Sequence, residues 1–293
     1  MVVRSVIRKL PGLPKRADDS HKGDVGRIMV VGGCQGPVTM IGAPALAANA
    51  AVRSGAGLVQ IMAPEGILLS LGVLAPVATL RRLPPDGASL LEAVSTFGTD
   101  VLAIGPGLGA SIERSTLLQI LTEFKGPIVV DADGLNLLAS GTRVDISDPG
   151  RIVLTPHPGE MARLLSSWGC QEKFGRTTAE RRAAAIALVD ASGCTVVLKG
   201  TGTVVADTHR VYINETGNSG MATGGSGDVL TGVIAAFLGQ GMAHFDASML
   251  GVYLHGSAGD LAAEDLGRHG VTALDLIDFL PDSFCEYDTD HGE

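Results

Sequence analysis

The chain has 293 residues, 45% of them hydrophobic but 4% aromatic, with a formal net charge of −9 and a pI near 5.2. That length can bury a sizeable core without disulfide or metal staples. The acidity argues against nonspecific nucleic-acid binding, which needs Lys and Arg to displace counterions.

Taken in chain order, residues 1–22 read as an N-terminal arm or a short helix. They carry Arg4, Arg8 and Lys9 and no apolar stretch of the secretory kind. Strands are predicted at 27–31, 58–62, 77–81, 101–104, 128–131, 152–154, 195–199, 204–206 and 211–213. Helices are predicted at 43–54, 90–96, 112–124, 159–166, 178–191, 228–238, 245–265 and 273–279. Residues 282–293 carry Asp282, Glu286, Asp288, Asp290 and Glu293 with no Lys or Arg, and read as a disordered acidic tail. The uncharged stretch 66–80 has 15 residues and contains Pro76, too short and too broken to span a membrane. Cys34, Cys170, Cys194 and Cys285 form no Cys-x-x-Cys pair, so structural zinc and a disulfide framework are not expected. A reducing, cytoplasmic setting fits. There is no internal repeat and no linker, so 1–293 is read as one domain.

Several of the strands are continuous apolar runs, as buried parallel strands are when helices cover both faces. The strand–helix alternation predicts a three-layer α/β/α sandwich with a mostly parallel central sheet. Ligands of such folds sit beyond the carboxyl ends of the strands. The apolar runs give way to glycine-rich or polar segments: Gly32-Gly33, Gly105-Pro106-Gly107-Leu108-Gly109, Asp131-Ala132-Asp133-Gly134, Thr155-Pro156-His157-Pro158-Gly159-Glu160 and Lys199-Gly200-Thr201-Gly202-Thr203.

The strongest constellation is Thr216 through Asp228, ending Gly224-Gly225-Ser226-Gly227-Asp228 before an apolar helix. Glycines at a helix start let backbone N–H groups converge, and the helix dipole adds positive potential, which together make a phosphate cradle. Asp228 alternatively serves as an N-cap. A carboxylate so placed is expected below its ordinary pKa. The P-loop, dinucleotide and nucleophile-elbow motifs are absent. Lys199 and the turn after it read either as a plain hairpin or as part of the phosphate site. Glu160 reads as dipole compensation and His157 as a structural histidine, or both as site residues. Asp131 and Asp133 read as helix caps or as part of the same rim.

At these residues the sequence resembles the ADP- or ATP-dependent NAD(P)H-hydrate dehydratases of the ribokinase-like superfamily. The matching runs are His21-Lys22-Gly23-Asp24, Gly105 to Gly109, Asp131 to Asn136, Thr155 to Met161, Lys199 to Thr203, Gly217 to Asp228, and Leu254 to Gly256 with Ala258 to Asp260. The resemblance implies that Ala43, Gly107, His157 and Asp228 contact the hydrated nicotinamide nucleotide. It implies that Lys199, Gly200, Thr201, Gly202, Thr203 and Gly227 hold the adenine nucleotide, and that Asp228 is the catalytic base. It further implies ADP or ATP as co-substrate, Mg2+, repair of the S epimer of hydrated NADH or NADPH, a homotetramer, and an epimerase on a separate protein. Metal ligands are not assigned. The segment from Cys34 to Pro44 departs from the shorter turn of many bacterial members. The competing reading is a kinase of the same fold acting on a hydroxyethylthiazole-like or sugar alcohol. A nucleotide-binding protein without turnover is a third.

Overall fold

A computed structural model describes residues 4–172 and 174–291. The apolar runs pair into one ten-stranded sheet: β1 (Ser5–Val6), β2 (Arg27–Val31), β3 (Leu58–Ala63), β4 (Thr79–Arg82), β5 (Val101–Ile104), β6 (Ile128–Val130), β7 (Ile152–Leu154), β8 (Thr195–Leu198), β9 (Val204–Ala206) and β10 (Arg210–Ile213). Their order is β1-β10-β9-β8-β7-β6-β5-β2-β3-β4. All neighbours from β8 to β4 run parallel, and β9 is antiparallel to both β8 and β10. The chain steps outward from β2 in both directions, so the topological switch lies between β2 and β5, where a ligand crevice is expected.

Alternate strand residues feed two cores. Ile28, Val30, Val101 and Ala103 point to one face, and Met29, Val31, Leu102 and Ile104 to the other. The first face is covered by α1 (Gly42–Arg53), α2 (Leu68–Leu74), α8 (Ser226–Gly239), α9 (His244–Leu266) and α10 (Ala273–His291). The second is covered by α3 (Gly87–Phe97), α4 (Arg114–Glu123), α5 (Ala132–Ala139), α6 (Pro158–Ser167) and α7 (Thr178–Ser192). This is the three-layer sandwich with the sheet buried on both sides, which explains strands that are apolar at every position. Among the described residues no helix is long and apolar enough to cross a membrane.

The alanine-rich α1 owes its composition to α8. A Cβ on Gly232 would stand 2.1 Å from the Ala47 carbonyl oxygen and 2.9 Å from the Ala50 Cβ. The two helices therefore approach backbone to backbone, and small residues are required on both. Gly232→Ala should force them apart and destabilise the fold by about 1–3 kcal/mol. A thermal melt reads this as a lowered Tm with nucleotide-free protein.

Two terminal expectations need correction. The N-terminal arm is in part sheet: β1 pairs in parallel with β10, Ser5 opposite Arg210 and Val6 opposite Val211. The first three residues of that arm lie outside the described ones. The acidic tail is helical, because α10 continues through Pro281 to His291. Leu276, Leu280, Ser283 and Tyr287 are buried at helical spacing, while Asp282, Glu286 and Asp288 are exposed. The charges that look like a solvated tail are the wet face of an amphipathic helix. The Tyr287 hydroxyl donates to the Pro11 carbonyl at 2.7 Å, tying this helix to the arm. The last two residues of the expected tail lie outside the described ones.

Candidate active site

The carboxyl ends of β2, β5, β6, β7 and β8 form one continuous rim. Four interstrand steps of about 4.8 Å make it about 19 Å long. Its residues fall into two groups.

At the switch point, Gly107 lies with φ +59, and a Cβ there would come within 3.1 Å of the Ala43 Cβ and 3.0 Å of the Met40 Cβ. The two predicted substrate-contact positions at this end are therefore neighbours. The segment that departs from the bacterial turn closes on itself: Cys34 and Met40 exchange backbone hydrogen bonds of 3.3 and 3.1 Å. That small loop delivers the chain to α1, whose first turn contains Ala43 and buried Pro44. Ser111 donates to the Gly33 carbonyl at 3.1 Å and stitches the two glycine turns together.

The second group surrounds the start of α8. Gly225 is the N-cap, with φ +94 and no side-chain cap, and Asp228 is the third residue of the helix. The cap reading of Asp228 is thus wrong. Its carboxyl makes no hydrogen bond to any described residue. The first amides of the helix have no intrahelical acceptors and point out of the same end. Beneath them lies Lys199, 16% exposed, its Nζ 2.9 Å from where a Gly227 Cβ would stand. The Lys199 ammonium is bound to Asp131 Oδ1 at 2.5 Å.

Asp131 is the residue that sequence reasoning undervalued. It holds the N-cap position of α5 but makes no cap hydrogen bond. Instead it is buried, accepting from Lys199 and from the Thr155 hydroxyl (2.8 Å) on Oδ1, and from the Thr231 hydroxyl (2.9 Å) on Oδ2. The next residue, Ala132, has φ +47, a left-handed conformation that a β-carbon disfavours. Asp133 does not cap either. It accepts from the Gly109 amide at 2.7 Å and from Asn136, bracing the turn after β5.

His157 is the N-cap of α6. Its Nδ1 accepts from the Gly159 amide at 2.9 Å, and Glu160 Oε2 accepts from the His157 amide at 2.8 Å, a capping box. The ring proton is therefore assigned to Nε2, which faces Glu160 Oε1 at 3.2 Å. The ring still presents about half its surface to solvent above the rim. Capping and ligand contact are compatible here.

The electrostatics of the pocket are those of partly dehydrated carboxyls around one ammonium. Burial first, then the negative charge of Asp131, pushes Asp228 up to about 7, against the pull of Lys199. This reverses the lowered value expected from the helix end: loss of water outweighs the dipole. Burial also pushes Glu160 up to about 7. His157 is held down by burial and by Lys199, so it is neutral. For Lys199 burial alone would lower the value, but Asp131, Glu160 and Asp228 hold it above the ordinary one, so it stays charged.

Lys199, Gly200, Thr201, Gly202 and Thr203 form the turn of an antiparallel hairpin between β8 and β9, so the hairpin reading was correct as geometry. The turn nonetheless sits at the rim. Arg181 from α7 donates to the Leu198 and Lys199 carbonyls at 3.2 and 3.1 Å, and Thr203 Oγ1 donates to the Gly200 carbonyl at 2.9 Å. On the other side, Asp260 of α9 accepts from the Gly217 amide (2.7 Å) and Asn218 (2.9 Å) and fixes the loop that leads into α8. His255, pushed down to about 4 by burial, is neutral and donates from Nε2 to the Ser226 carbonyl at 3.0 Å. Two shallow, open hollows elsewhere on the surface, one with Arg81, Arg82 and Glu92 and one with Arg16, His21 and Lys22, include none of these residues.

Comparison with known proteins adds four findings. A family model described as NAD(P)H-hydrate dehydratase matches residues 28–282. The bifunctional NAD(P)H-hydrate repair enzyme of Moorella thermoacetica is 45% identical over 278 residues, 92% of this chain and 51% of that protein, so the chain spans about half the length of this relative. The ADP-dependent (S)-NAD(P)H-hydrate dehydratase of Neisseria meningitidis is 42% identical over 86% of this chain and 82% of its own length. Among solved structures, the ADP/ATP-dependent NAD(P)H-hydrate dehydratase of Bacillus subtilis, co-crystallised with ATP/Mg2+, superposes with a TM-score of 0.76 at 28% identity, covering 94% of this chain and 95% of that one.

Proposed function

The chain belongs to the NAD(P)H-hydrate dehydratase family, and from that premise we propose that it restores NADH or NADPH from the S epimer of the hydrated cofactor, with ADP or ATP as phosphoryl donor. The observation that carries the proposal is the Asp228 carboxyl, free of hydrogen bonds to the described residues, at the open amide end of α8 and within electrostatic reach of the charged Lys199.

The chemistry rests on leaving-group quality. Hydroxide is a poor leaving group at neutral pH, and phosphate is a good one. Asp228 takes the proton of the substrate hydroxyl as that oxygen attacks the terminal phosphorus of the nucleotide. The bond to the departing AMP or ADP breaks. The α8 amides, aligned with the helix dipole, and the Lys199 ammonium face the negative charge carried by the phosphoryl oxygens. The ring nitrogen lone pair then expels phosphate, and loss of a proton from the adjacent ring carbon restores the reduced nicotinamide. ADP thus ends as AMP and phosphate. A base with a pKa near 7 is ionised in a large fraction at neutral pH yet basic enough to accept a proton.

We place the hydrated nicotinamide along Ala43, Gly107 and His157, and the adenine nucleotide along the 199–203 turn and Gly227. Magnesium fits as an escort of the phosphates: among the described residues no three His, Cys, Asp or Glu side chains converge on one point to hold it. The family's homotetramer and cytoplasmic location belong to the same proposal, as does the assignment of the chain to one ribokinase-like domain. Light scattering on the purified protein reads the first of these.

The test supplies hydrated NADH with ADP or with ATP. The expected result is recovery of reduced-nicotinamide absorbance with equimolar inorganic phosphate. A stable phosphorylated alcohol with no regained absorbance would mark a small-molecule kinase instead.

A further inference from the structure

We infer that Asp131 is a positioning residue for the reaction: from the end of β6 its carboxylate clamps Lys199 and, through Thr231, the first turns of α8, and so holds Asp228 over the lysine as a free base. The inference rests on the reading of Asp228 as the base.

Three elements meet on this one buried carboxylate. Thr155 reaches it from beyond β7, Lys199 from beyond β8, and Thr231 from α8. Thr231 follows Asp228 by three residues and so lies on the same side of the helix. The bond from Thr231 to Asp131 therefore fixes the rotation of α8 about its axis, and with it the direction of Asp228. Lys199 is the cation nearest to hand for Asp228. Its pairing with Asp131 keeps it from closing a direct ion pair with the base, which would occupy the very oxygen that must receive the proton.

The surroundings are shaped to keep Asp131 there. A Cβ on Gly105 would lie 1.8 Å from the Asp131 carbonyl oxygen, so the β5 turn packs against it by backbone alone. Ala132 is left-handed, which turns the Asp131 side chain away from the α5 amides it would otherwise cap. A helix cap has been given up and a disfavoured backbone accepted, and both choices send this carboxylate to Lys199 and Thr231.

The charged and titratable groups facing Asp228 are Asp131 at the end of β6, Asp133 on α5, Glu160 on α6 and Lys199 at the end of β8. Of the charges, Asp131 raises Asp228 most and Lys199 opposes it. Removing the Asp131 charge therefore acts twice in one direction: repulsion is lost and Lys199 is released toward Asp228. The base becomes weaker and is ionised at lower pH.

The experiment uses the full chain with hydrated NADH and ADP. In Asp131→Asn the acid limb of the kcat/KM profile is expected to move down by about one pH unit or more, with kcat reduced at least about tenfold. In Thr231→Val, which keeps the Asp131–Lys199 pair, kcat should fall about tenfold while KM for ADP is unchanged, and Thr231→Ser should restore it. A purely structural role would lower Tm and scale the rate equally at all pH values, leaving the limb in place. An unmoved limb in Asp131→Asn overturns the inference. If that variant does not fold, Thr231→Val at wild-type kcat does so. Failure of the base reading is seen separately, as retained turnover in Asp228→Asn.

Discussion

Asp228→Asn lowers kcat by roughly 10²–10⁴ while leaving nucleotide affinity nearly unchanged. The amide is the same size, so the helix start and the phosphate-facing amides persist and only the proton acceptor is lost. Turnover within tenfold of wild type would remove Asp228 as the base. In the wild-type protein, kcat/KM should rise with pH through about 7, the value to which burial and Asp131 push the carboxyl. The same shift has a stability sign. The folded-state value lies above the unfolded one, near 3.8. Stability from this group is therefore complete below about 3.8 and declines as pH rises through about 7. At about pH 8 the Asn variant should accordingly melt higher than wild type while turning over far less, a direct trade of activity against stability.

Lys199→Met is expected to cost about 3–5 kcal/mol, because it leaves the Asp131 carboxylate buried without its cation. For a chain of this size that is a fall in Tm of roughly 10 °C. Affinity for ADP should fall as well, since the charge under the α8 amides is gone. The double variant Lys199→Met with Asp131→Asn removes both charges and should regain most of the lost Tm while the affinity stays low. Without that recovery, the pair is not what the stability depends on. The pH dependence has the sign of any lysine that gains an anionic partner. Lys199 is held above its ordinary value, so its contribution is present through neutral pH and lost only in strong alkali, and the Met variant shows no such alkaline loss.

Much of this arrangement was legible in the sequence, and the reasons differ by element. The strands 27–31, 101–104, 152–154 and 204–206 coincide with β2, β5, β7 and β9, because a run buried on both faces admits few polar residues and has sharp ends. Helix α2 was not visible: of its residues Leu71 alone is buried, and Gly72 interrupts the pattern. The C-terminal half of α10 was hidden by its acidic face, although Leu276, Leu280 and Tyr287 carried a helical period. Gly107 lies beside Ala43, and Gly227 above Lys199. The role of Asp131 was out of reach for a physical reason. Its partners Lys199 and Thr231 lie 68 and 100 residues away in sequence, and a local reading offers a cap or a place on the rim but neither partner. The sign of the Asp228 shift was missed likewise, since the dipole belongs to the helix but dehydration belongs to the whole pocket.

The backbone contact at Gly232 reaches beyond stability. Helix α1 begins at the end of the rim proposed for the nicotinamide, and α8 begins at the end proposed for phosphoryl transfer. With Ala47 and Gly232 touching main chain to main chain, the two starts belong to a single rigid piece, without long side chains between them to yield. In the proposed reaction alcohol and phosphorus would thereby meet on one platform, and the translational freedom that two independent jaws would have to surrender is already absent before either ligand arrives.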